Sequence, residues 1–153
     1  MSPKPRRDLE EMRDRLLREI ERVLDSTDGL SAEQLRWTPT AKDANSLLVL
    51  AAHTVGAAER HVVVNVGGGR PSGTRDEEFA AKRDIAAVRA RWAELRPAIV
   101  SIIEELPPGR LDDEIPGPNG SHTVRWFLMH AIAHAAEHAG QAELTRDLVD
   151  LTD

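Results

Sequence analysis

Apolar residues return every three or four positions along most of this chain. That spacing commits it to helices that must bury one face against each other. In the first stretch, from about Arg7 to Leu24, the recurring residues are Leu9, Met12, Leu16, Ile20 and Val23. A turn signal at 26–30 and a capping box at Ser31–Gln34 follow, opening one or two helical turns that end near Trp37 and Pro39. The second stretch starts at Asn45 or Ser46, either of which can cap it, and runs toward Asn65. Leu47, Leu50, Val55 and Ala58 form its apolar face, with His53 and Glu59 inserted. Gly67, Gly68 and Gly69 end it, and the Gly-, Pro- and Ser-rich segment to about Lys82 reads as a long surface connection. The third stretch begins near Asp84 and ends before Pro107. Its stripe is Ile85, Val88, Trp92, Leu95, Ile99, Ile102 and Leu106, and Pro97 within it predicts a kink. After a second turn-rich loop at 116–120, Ser121 or Thr123 can cap a fourth stretch that continues to about Leu148.

No segment has the period of a convincing strand. The expectation is an all-α, four-helix bundle folded as one domain over residues 1–153, with the long connection letting the second and third helices run parallel. The longest apolar run, Leu47 to Ala52, is far short of the ~20 residues that span a bilayer, and the basic N-terminus has no apolar core behind it. The expectation is a cytoplasmic protein without a membrane partner. Net charge is −6, from 20 basic and 26 acidic residues, which argues against a nucleic-acid partner because that affinity comes mainly from phosphate neutralisation. There is no cysteine, so thiolate zinc sites, iron–sulfur clusters and cysteine nucleophiles are excluded.

Chemistry then falls to six histidines, at 53, 61, 122, 130, 134 and 138. Three lie in the fourth stretch, HAIAHAAEH over residues 130–138, at successive intervals of four. Four residues turn an α-helix through about 400°, so each imidazole sits one turn above the last and about 40° round. Two such rings can face one ion. A catalytic metal typically takes three protein ligands and keeps a further position open. His53 is the natural third, since an unpaired imidazole buried on an apolar face is costly. Antiparallel second and fourth helices would match His53 with the later part of the fourth, which selects His134 and His138 over His130. A solvated histidine face, or a core histidine at 53, fits the same residues. His61 and His122 read as surface or capping residues. Gln141 can stack on His138 and orient its ring, and Glu137 points about 100° away from it. His130 and Glu59 are the acid–base candidates. The Gly67–Arg70 segment lacks the Lys-Ser/Thr ending of a phosphate loop.

The pairing of His53 with the segment ending at His134, His138 and Gln141 resembles the DinB/YfiT-like superfamily. The approach to the second helix through Leu35, Trp37, Pro39, Asn45 and Ser46 is similar as well, as is the Gly-rich connection carrying Glu77, Glu78 and Phe79. The resemblance covers nearly the whole chain. It implies a bundle in up-down-down-up order with the long crossover between helices 2 and 3. It also implies a divalent metal, zinc or nickel and sometimes iron, on His53, His134 and His138, and a homodimer. Relatives are known to use low-molecular-weight thiols such as mycothiol or bacillithiol. Ala139 stands where relatives often carry a basic residue.

The expected function is a metal-dependent enzyme acting on a small-molecule substrate. It is either a thiol S-transferase or a hydrolase, in which the metal acidifies a thiol or a water. The competing class is a non-catalytic bundle that only binds metal or a small ligand.

Overall fold

The computed structural model describes residues 4–152. Four long helical segments carry the fold. They are α1 (Lys4–Asp25), α3 (Leu47–Ala58) with its continuation Glu59–Val66, α5 (Ile85–Glu105) and α6 (Val124–Asp150). Two one-turn helices, α2 (Ala32–Arg36) and α4 (Arg75–Phe79), lie in the connections. Among the described residues the fold is helical, with a 3₁₀ turn at Pro108–Asp112 and a small antiparallel ladder beside the long helices. In that ladder β1 (Glu114–Ile115) pairs with β2 (His122–Thr123).

The helix starts are set locally. The hydroxyls of Ser46 and Thr123 accept from Val49 N and Trp126 N, and the Asp84 carboxylate accepts from Ala87 N. Ser31 and Gln34 close a reciprocal capping box on α2. Each satisfies a donor that the first turn would leave without a partner. α5 runs unbroken through Pro97.

The core is built largely from the expected stripes, except that on α5 Ile103 is buried while the expected Ile102 and Leu106 are only partly so. Leu9, Leu16, Ile20 and Val23 of α1 meet Val88, Trp92, Leu95, Ile99 and Ile103 of α5 and the apolar side of α3. On α6 the inward line is Ala131, Ala135, Ala139 and Ala142, all buried. Their small side chains let α6 lie close against α1, the most extensive helix pairing in the molecule. Each of the first three alanines follows a histidine by one residue. A step of about 100° therefore carries His130, His134 and His138 to the flank of that seam, toward α3.

Three features differ from the sequence expectation. The second helix does not stay α-helical: from Glu59 to Val66 it widens to i→i+5 bonding, and Gly67 N donates to Val62 O at 2.8 Å. The connection at 67–82 is not wholly irregular. Thr74 and Glu77 form a capping box that starts α4. The third is the β1–β2 ladder, where no strand was expected. Leu47–Val66 as a whole is long and apolar enough to cross a bilayer, but 67% of that window is buried among the other helices. Its apolar character is that of a core helix.

Candidate metal centre

α3 and α6 bring three imidazoles together. His53 Nε2 lies 3.0 Å from His134 Nε2, and His138 Nε2 lies 3.1 Å from the same atom. The ligand atoms of the three all fall within 4.8 Å of one another. His53 is 5% exposed, whereas His134 and His138 are half-buried.

The outer nitrogens of two rings are held. His138 Nδ1 is 2.7 Å from Gln141 Oε1. His53 Nδ1 is 3.0 Å from Glu78 Oε1, and Arg60 clamps the Glu78 carboxylate from the other side at 2.5 and 2.9 Å. An ionised carboxylate only accepts, so His53 must donate from Nδ1. In the neutral form of the ring, that leaves Nε2 as a lone pair aimed at the cluster. The amide oxygen of Gln141 sets His138 the same way. His134 can then supply one proton at most between three converging nitrogens. A cation is what such a donor-poor trio fits. Tetrahedral zinc bonds of ~2.0–2.1 Å place nitrogens about 3.3 Å apart, a few tenths of an ångström from the 3.0 and 3.1 Å that separate His53 and His138 from His134.

Electrostatics point the same way. Burial, then the charges that His138 and His53 would carry, lower the His134 pKa to about 3. Burial also lowers His138, against a smaller opposing effect of the Gln141 bond. Both rings are neutral at physiological pH, the form in which imidazole binds metal. Burial alone would raise the Glu78 carboxyl. Its hydrogen bonds from His53 and Arg60 outweigh this and hold its pKa below the usual carboxylate value.

Glu78 had no assigned role in the sequence reading, nor did Gly56, which makes room for it. A Cβ at Gly56 would lie 1.9 Å from Glu78 Oε2. Gly56 is thus a notch, one turn along α3 from His53, through which the α4 carboxylate reaches the imidazole.

Glu59 is not brought to the trio. It is buried, and it accepts from Ser72 N at 2.8 Å, from Ser72 Oγ at 2.9 Å and from Arg91. Six residues past His53, it has turned about 240° round the helix and faces α5 and the crossover. Its commitment to Arg91 corrects the acid–base expectation. Glu137 is exposed. His130 is exposed one turn before His134, its ring 4.8 Å from that of His61.

His61 and His122 are not simple surface or capping residues. The widened turn places the His61 ring between His130 and His134, 6.0 Å from the latter. His61 Nδ1 is buried without a partner among the described residues. Burial, then the neighbouring charges of His130 and Arg60, lower its pKa to about 4. His122 stacks on Trp126 at 3.9 Å, and Trp126 stacks on His130 at 4.7 Å.

Comparison with known families adds one match and one absence. A family model described as Mycothiol-S-transferase matches residues 11–151. No curated protein matches the chain.

Proposed function

Because the chain belongs to the mycothiol S-transferase family, a branch of the DinB/YfiT-like superfamily, we propose that it is a metal-dependent thiol S-transferase acting on a small molecule. The observation that carries this reading is the convergence of three imidazoles from two helices on one point, with the outer nitrogens of two rings already held. His53, His134 and His138 would hold a divalent ion, zinc or nickel before iron. Such an ion lowers the pKa of a thiol or water at its open position.

The chain's own residues have separate tasks. Glu78 and Gln141 fix ring orientation and keep the Nδ1 protons away from the cluster. Burial of His53 keeps water from one side. His130, exposed one turn from His134, is placed to take or give a proton at the rim. The thiol is of the mycothiol or bacillithiol type, and hydrolysis is the second reading, since the same trio serves water equally well. A non-catalytic metal-binding bundle is the alternative outside enzymology. The remaining expectations complete the proposal: up-down-down-up helix order with the crossover at 67–82, a cytoplasmic site of action, and a homodimer. For the last, Met129 and Leu144 offer apolar area on the outer face of α6.

The deciding experiment is metal analysis combined with a conjugation assay. Purified protein should hold about one divalent ion per chain, in keeping with one three-ligand set that keeps a position open. It should also join a cellular thiol to an electrophile, with His134→Ala losing both. Equal metal content in wild type and variant would overturn the site. Metal binding without any thiol product would leave hydrolysis or mere binding.

A further inference from the structure

Two clefts lie against neighbours of the histidine trio, one against Gly56 and Glu78 and the other against His61 and His130, and their chemistry differs. The first, about 270 Å³, is lined by Gly56, Glu59, Glu78, Lys82, Arg83 and Arg91 among others. It lies on the Nδ1 side of His53, so the clamped Glu78 carboxylate stands between it and the converging Nε2 atoms. The second, about 240 Å³, is formed where the widened turn of the second helix meets the start of α6 and the 117–120 loop. His61 is one of its walls, and the His61 ring is 6.0 Å from that of the ligand candidate His134.

The second cleft is built for a particular kind of molecule. Val64, Pro71, Pro118 and Phe127 supply apolar surface, and the stacked rings of His122, Trp126 and His130 form one side. Apart from its histidines, the ionisable side chain among the described lining residues is Arg60, whose guanidinium is already paired with Glu78 through two bonds. A charged ligand would lose hydration here without gaining a counter-ion, which is strongly unfavourable. A neutral ligand meets no such cost. The polar hooks are Asn65, Asn119 and His61. His61 matters most, because it is the hook that also adjoins the trio, its ring 6.0 Å from that of His134. Size narrows the class further. A cavity of ~150 Å³ holds benzene, so this one takes a single substituted ring. Gly117 lets the loop close over it: a Cβ there would sit 2.5 Å from Phe127 Cζ.

We infer that this cleft binds the second substrate of the proposed transfer, an uncharged ring-sized molecule whose polar substituent pairs with His61. The inference rests on the transferase reading for its role in catalysis, but not for binding. In that role a thiolate sulfur forms a bond to an electrophilic carbon of the bound molecule. The bond to the leaving group breaks, and the leaving group departs with the electron pair.

The test uses metal-free full-length protein and three probes sharing one ring: 4-nitrobenzyl alcohol, 4-nitrobenzoate and 4-nitrobenzylamine. Amide and indole resonances are followed during titration. The neutral alcohol should shift His61, Asn65 and the Trp126 indole. The charged probes should bind at least ~10-fold more weakly, the size of one unfavourable 1.4 kcal/mol step. Val64→Phe, which fills the cleft, should weaken the alcohol by a similar factor and leave zinc uptake unchanged. His61→Phe keeps the ring volume and removes the nitrogen, so it should also weaken the alcohol; it serves where Val64→Phe does not fold. Equal binding of all three probes, shifts mapping elsewhere, or indifference to both variants would overturn the inference. Probe binding as expected with no thiol conjugate from the zinc-loaded enzyme would sink the transferase reading while the cleft assignment stands.

Discussion

Glu78 reaches His53 only because position 56 has no side chain. The two residues lie on different elements, α4 and α3, and they act as one device. The carboxylate accepts the Nδ1 hydrogen, makes the imidazole a better donor at Nε2 and fixes its orientation. Glu78→Gln keeps an acceptor but removes the charge and unpairs Arg60, so zinc affinity should fall by about 10–100-fold in a chelator competition. Gly56→Ala would ordinarily strengthen a helix by roughly 0.5–1 kcal/mol. Here it should instead weaken zinc binding in the same direction, because the Cβ displaces the carboxylate. The double variant should lose little beyond either single one, as expected for one shared interaction. Fully additive losses would separate the two residues and refute the device. The depressed imidazoles give a second prediction. Unfolded His134 and His61 titrate near 6.5, whereas in the fold they titrate at about 3 and about 4. Between those values the unfolded chain binds protons that the folded one refuses. Metal-free protein should therefore be fully stable above pH 6.5 and lose stability as pH falls below it, the loss from these groups being complete below about 3. Urea midpoints at pH 7.5 and 4.5 check the direction. His61→Phe should show a smaller drop than wild type, and an equal drop would remove His61 from the account.

At the scale of elements, what could be read from the sequence was what is set locally. The stripes on α1 and α5 and the alanine seam of α6 follow from a 3.6-residue period. The caps at Ser46 and Thr123 follow from one hydroxyl meeting one amide. The same kind of signal was present for α4, since Thr74 and Glu77 have capping-box spacing, but the surrounding Gly, Pro and Ser residues masked it. The widening at Glu59–Val66 was not legible: its four valines and Asn65 weaken the α-helical preference, but nothing in the eight residues specifies i→i+5 bonding. With it went the position of His61, which depends on that turn. The contact between Glu78 and His53 joins residues 25 apart through a missing Cβ, and neither periodicity nor capping records such a pairing. The histidine spacing on α6 was legible because it is a property of one helix. That independence can be tested at the helix start. Thr123→Ala removes the cap of α6 and should cost about 1 kcal/mol in denaturant unfolding. His134 and His138 lie three and four turns further on, so zinc affinity should not change. A parallel loss of zinc affinity would show that the ligand segment frays with the helix end.

For the molecule as a whole, the trio links α3, in the first half of the chain, to α6 at its end. His134, the nearer of the ligand pair, is 81 residues from His53 in sequence, and an unfolded chain would have to close that loop to assemble the site. The folded protein therefore binds metal far better than the unfolded one, and binding must raise stability by mass action. At free zinc one hundred times the dissociation constant the gain is about 2.7 kcal/mol. Neither α1 nor α5 contributes a ligand, yet both should share this gain, because the buried core joins all four long helices into one contiguous cluster. The measurement is a pair of unfolding curves, with zinc and with chelator, followed both by far-UV signal and by the fluorescence of Trp92 in the core with the other tryptophans replaced by phenylalanine. Cooperative folding predicts that both probes shift together. His134→Ala should abolish the shift in both. If zinc moved only a later part of the transition, leaving Trp92 to report an unchanged midpoint, α3 and α6 would form a metal-stabilised pair separable from the rest. The close packing of α1 against the alanine seam would then not be what transmits the stabilisation.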